Sequence, residues 1–88
     1  MIDLRELSER TYARAIERGK ITSHHSWEKS MKDLAGEVIE LALCTDLRDI
    51  GFEIADIILV CCSICVDRCI DVEDVIRQKV EYNEKRKD

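Results

Sequence analysis

Two pairs of carboxylates mark the chemistry this chain is equipped for. Glu37 and Glu40 stand three residues apart, and so do Glu53 and Asp56. Residues at that spacing share one face of a helix. If the two segments are neighbouring helices, four carboxylates converge on one place. Like charges that close raise one another's pKa unless a cation lies between them. Oxygen-only ligation suits a hard divalent ion, Mg²⁺ first and Mn²⁺ second. Each pair also has a plainer reading. Glu37 and Glu40 lie opposite an apolar stripe, where a solvated acidic face is ordinary. Glu53 and Asp56 are the only charged residues in the apolar run 50–66, and an ion pair to another segment would also satisfy them. A buried carboxylate with neither kind of partner is costly.

The elements that must position these groups are helices. The chain has no proline, little glycine and 38% charged residues, with apolar positions at helical period throughout. It reads as all-α with four helices. The first covers residues 3–18, with Leu4, Leu7, Tyr12, Ala15 and Ile16 on its apolar side and Gly19 at its end. Residues 20–25 are a polar connection. The second covers 26–44, with Trp27, Met31, Leu34, Val38, Leu41 and Ala42 as its stripe. Thr45 and Asp46 are cap candidates for the third, which covers 49–69 and is apolar on nearly every side, as a buried helix is. Along it Asp49, Glu53, Asp56, Ser63 and Asp67 share a narrow polar stripe. Asp71 caps the fourth helix, 71–87, with Glu73 and Asp74 in its first turn.

Bulk composition bounds the function. Eighty-eight residues make one domain, 1–88, whose core is modest unless it oligomerises. A net charge of −5 and a pI near 5.0 argue against nucleic acid as partner. The N-terminus is charged and lacks the apolar segment of a signal peptide, and the apolar run is too short for a bilayer. The reading is a cytoplasmic protein with no membrane partner. All five cysteines fall between Cys44 and Cys69, an odd number that makes no disulfide framework. They read as small buried hydrophobes, since no second pair completes a zinc site.

The wording around the carboxylates carries a family resemblance. Glu37-x-x-Glu40 followed closely by Glu53-x-x-Asp56 resembles the signature of the MazG-like nucleoside triphosphate pyrophosphohydrolases, the all-α NTP pyrophosphatase superfamily. Leu34-Ala-Gly-Glu-Val-Ile-Glu-Leu-Ala42 resembles the second helix of that family. Phe52-Glu-Ile-Ala-Asp-Ile-Ile-Leu59 resembles the third. The stretch 70–86 resembles the fourth, with Lys79, Asn83 and Arg86 at its spacing. The likeness covers about 27–86. One departure is clear: many members carry a further glutamate where this chain has Gly36. Asp33, one turn earlier, is a candidate substitute for it.

The resemblance implies a four-helix MazG-like fold packed with a partner subunit into a bundle, as a homodimer or homotetramer. It implies Mg²⁺-dependent hydrolysis of a (d)NTP to (d)NMP and pyrophosphate. Glu37, Glu40, Glu53 and Asp56 would be the catalytic metal ligands, and Lys79, Asn83 and Arg86 would meet the substrate. Without the family, Lys79 and Arg86 read as a solvated helix face. Trp27 is a stacking candidate for the base, although an aromatic opening an apolar stripe is more often core. His24 and His25 read as surface residues before a helix, with substrate contact the alternative. Gly36 and Gly51 would permit close helix approach. Two other functions fit the same residues: a non-catalytic helical oligomer with a carboxylate metal site, and a relative acting on another phosphoanhydride such as phosphoribosyl-ATP.

Overall fold

The computed structural model describes residues 2–22 and 24–87; Met1, Ser23 and Asp88 lie outside the described residues. Four α-helices follow in order: α1 (Leu4–Glu17), α2 (Trp27–Ala42), α3 (Leu47–Asp67) and α4 (Val72–Lys85). No strand occurs among the described residues, so the all-α reading stands. None of these helices is long and apolar enough to cross a membrane.

Each helix starts on a side chain that accepts a hydrogen bond from an otherwise unpaired backbone N–H. Asp3 accepts from Glu6, Ser26 from Lys29, Asp46 from Arg48 and Asp71 from Asp74. The second, third and fourth helices each end two residues before the expected 44, 69 and 87, and Asp46 explains the early start of the third. It starts α3 at Leu47, so Asp49 lies in the first turn of the helix and not ahead of it. Two helices end the same way. After α1, Gly19 (φ 74°) donates to the Ile16 carbonyl and Lys20 to that of Ala15. After α3, Cys69 (φ 59°) donates to the carbonyl of Val66 and Ile70 to that of Cys65. This is the Schellman pattern, which needs a left-handed residue. Glycine supplies it in the first case and a cysteine in the second.

α3 is the central element. α1 and α2 each pack along it, without packing against one another, and α4 touches α1 and α3 more lightly. The ring of Trp27, at the start of α2, stacks 4.8 Å from the guanidinium of Arg68, at the end of α3, as an antiparallel hairpin requires. Tyr12 donates to Asp67 Oδ1 at 2.6 Å and so fixes α1 to α3. Arg5 pairs with Asp71 and Glu73 and so fixes α1 to the start of α4.

The interior is thin. Cys62 and Val72 are the buried hydrophobic residues, joined by Ser8, Ser30 and Ser63. The expectation of a buried α3 needs correction within one chain: Phe52 is 62% exposed, and Ile54 and Ile58 are also exposed. Three short neighbours cover only part of its circumference. Trp27 is likewise not core, being 54% exposed. The cysteines divide in the same way, with Cys62 buried but Cys61 and Cys69 exposed. No close approach accounts for Gly36 or Gly51, because a Cβ at either would meet nothing within 4 Å.

Candidate metal centre and its cleft

The hairpin of α2 and α3 sets the second half of one helix against the first half of the next. Glu37, Glu40 and Glu53 thereby come together, each with a carboxylate oxygen within 4.8 Å of those of the other two. Glu37 Oε2 and Glu53 Oε2 are buried and have no hydrogen-bond partner among the described residues. A solvated acidic face therefore does not describe Glu37, and an ion pair does not describe Glu53. Burial is the largest cause that pushes both carboxyls above their ordinary value. The charges of Glu40 and Asp56 push them the same way, and contact with Glu40 adds to the rise in both. Three carboxylates facing one point, two with an unpaired oxygen, are a donor set that fits a hard divalent cation.

Asp56 stands outside that trio. It lies one turn beyond Glu53 on α3 and acts on Glu37 and Glu53 through its charge. It also lines the cleft that Glu37 and Glu40 line, whereas Glu53 is not among the lining residues. This cleft, about 860 Å³, occupies the gap between α1 and α2, with α3 as its floor. Glu37, Glu40 and Asp33 line one wall, Arg10, Arg14 and Arg18 the other, and Leu59, Val60 and Ser63 the floor. The size suits a small-molecule ligand.

The other residues singled out in the sequence fall elsewhere. Lys79 and Asn83 are on α4 and Arg86 is its C-cap, and none of the three is among the residues lining the cleft of their own chain. Lys79 instead lies 4.6 Å from the ring of Tyr82. Trp27 also stays outside the cleft, held against Arg68.

Sequence reasoning missed two features. His25 is not a free surface residue: its side chain is only 10% exposed, and it lines the cleft with Nε2 3.2 Å from Asp33 Oδ2. Nδ1 accepts from the Thr22 N–H at 3.4 Å, which assigns the proton to Nε2 and makes Asp33 its acceptor. The candidate substitute for the absent glutamate is thus engaged by an imidazole. The second omission is the arginine row of α1. Its signal is the four-residue repeat of arginine at 10, 14 and 18. The chain matches no known family model, no curated protein and no solved structure.

Proposed function

We propose that this chain is a Mg²⁺-dependent nucleoside triphosphate pyrophosphohydrolase of the MazG-like kind, active as a homodimer or larger homo-oligomer. One observation carries the reading: the buried, unpartnered oxygens of Glu37 and Glu53 gathered with Glu40, beside a cleft that Glu37 and Glu40 line. Such oxygens are costly unless they bind something cationic. Basic side chains are abundant nearby, yet none forms an ion pair with this trio among the described residues. The resemblance of 27–86 to the family supplies the reaction.

Glu37, Glu40 and Glu53 would hold the ion, with Mn²⁺ the second choice. When bound, a divalent ion there neutralises phosphate charge and acidifies water. Asp56, outside the trio but beside it, is the carboxylate free to accept a proton from the attacking water. The water oxygen bonds to a phosphorus of the α–β anhydride, that anhydride bond breaks, and its electron pair leaves with the departing phosphate group. Monophosphate and pyrophosphate result. The floor of Leu59 and Val60 offers apolar surface to the nucleoside. Lys79, Asn83 and Arg86 enter this reading only in an assembly where a second chain brings α4 to the cleft.

The test is pyrophosphate release from a panel of ribo- and deoxyribonucleoside triphosphates, with Mg²⁺ and with EDTA. Release should require Mg²⁺. Glu53→Gln should lower it by at least about 100-fold, the upper end of what outer-shell changes cost at metal sites. Mg²⁺ binding with no turnover of any triphosphate would refute the reading and favour the non-catalytic oligomer or another phosphoanhydride.

A further inference from the structure

We propose that the guanidinium row Arg10, Arg14 and Arg18 is the polyphosphate clamp of this site, facing the carboxylates across the cleft. The inference rests on the hydrolase reading for its substrate class but is tested apart from turnover. Residues four apart rise by about 6 Å and keep one face of a helix, so α1 and its C-cap residue Arg18, whose backbone is still helical, present three forks in file. All three line the same cleft as Glu37, Glu40 and Asp56. The fold leaves room there, since α1 and α2 do not pack against one another.

The row is not used up in holding the fold. Arg10 pairs with Glu6 and Arg14 with Glu17, both on α1 itself. In each pair both side chains are more than 60% exposed, so the pairs are weak and exchangeable. Arg18 forms no ion pair among the described residues, nor does any of the three reach a carboxylate across the cleft. If the row served only to attract α1 to the acidic wall, cross-cleft pairs would be expected. Their absence leaves one cationic and one anionic wall held apart. A phosphate chain with a divalent ion on one flank needs that arrangement: carboxylates for the ion, forks for the remaining oxygens. In a chain of net charge −5, such a local row also gives an anionic substrate a place to land.

The experiment is calorimetric titration of the full chain with inorganic tripolyphosphate in excess Mg²⁺. Wild type should bind. Arg14→Gln/Arg18→Gln should weaken binding at least tenfold, Arg14→Lys/Arg18→Lys should recover part of the loss, and Arg77→Gln on α4 should leave it unchanged. Circular dichroism and melting check the fold; if the double variant does not fold, single Arg18→Gln, at the exposed end of α1, carries the comparison. Failure of wild type to bind, or unchanged affinity in the folded glutamine variants, overturns the proposal. Arginine-dependent binding with no hydrolysis of any nucleotide sustains the clamp while sinking the hydrolase reading.

Discussion

At the scale of single residues, the carboxylate trio sets the charge balance of the molecule. Glu37 and Glu53 have carboxyls raised above the ordinary 4.5, first by burial and then by neighbouring charge. The native state therefore keeps protons that the unfolded chain releases. Stability contributed by such groups is greatest below pH 4.5 and falls as the pH climbs from there through the raised values. Above that window Glu37 and Glu53 are ionised and repelled by neighbouring carboxylate charge. Without divalent ions, melting temperature should decline as pH rises past 4.5, and Mg²⁺ should reverse the decline, because ligation needs the deprotonated form. Glu53→Gln should melt higher than wild type in EDTA and respond little to Mg²⁺. Melting curves against pH, with EDTA and with Mg²⁺, read both effects. A wild-type curve insensitive to Mg²⁺ at neutral pH would count against a metal centre. Asp67 behaves in the opposite sense. The Tyr12 hydroxyl is the main cause holding its carboxyl below the ordinary 3.8, with the His24 N–H adding to it. Its contribution is present above 3.8 and vanishes as pH falls through the lowered value. Tyr12→Phe should therefore cost about 1.5–3 kcal/mol at neutral pH, the worth of a hydrogen bond to a charged group, and less in acid. Denaturant midpoints at two pH values decide it.

At the scale of elements, the helices were legible because their ends are chemical. Ser26 and Asp71 announce starts, Gly19 announces a stop, and no proline interrupts. The convergence of Glu37, Glu40 and Glu53 was legible for a similar reason: a three-residue spacing on two helices joined by a short turn constrains where they meet. Asp56 was not separable from them, because a one-turn offset along α3 depends on how deeply the hairpin closes. The cleft was not legible at all. It arises from α1 and α2 sharing α3 without touching, a tertiary fact with no local signature. The end of α3 was hidden too, since Cys69 is an unusual occupant of a left-handed position. A non-glycine residue there costs about 1–2 kcal/mol, part of which glycine gives back in unfolded-state entropy. The Cys69 side chain is exposed and has little packing to lose. Cys69→Gly should stabilise the protein by about 0.5–1 kcal/mol in equilibrium unfolding. Gly51 argues the reverse case. It sits inside α3 with an ordinary φ and nothing near its absent Cβ. Gly51→Ala should add a similar amount through helix propensity alone, about 0.5–1 kcal/mol. A loss in either variant would show that the position is contacted by something beyond this chain.

At the scale of the whole molecule, the chain is larger and more open than a self-sufficient fold of its length. Its radius of gyration is 14.4 Å, against about 12 Å for a compact domain of this length. Its accessible surface is 6984 Å², against about 5,300 Å² for a folded monomer of this mass. The excess, roughly 1,700 Å², is of the order that each partner buries in an obligate dimer. Much of the exposed area is apolar: Val38 and Ile39 on α2, Phe52, Ile54 and Ile58 on α3, Val75 and Val80 on α4. That pattern differs from scattered surface hydrophobics, because three consecutive helices contribute to it. It also accounts for the periodicity of α3, whose sequence asks for burial on sides that its own chain leaves open. The homo-oligomer proposed above would supply the missing cover. Sedimentation should then find a dimer or larger at micromolar concentration, and the melting temperature should rise with protein concentration, as linkage demands when folding and association are coupled. Ile58→Glu places a charge on the open face of α3 without touching the carboxylate trio. Stranding it in an interface costs about 2 kcal/mol or more, enough to raise the dissociation midpoint at least about tenfold. A wild-type chain that sediments as a monomer and melts independently of concentration would leave the apolar face unexplained by self-association, and the assembly that brings α4 to a neighbouring cleft would fall with it.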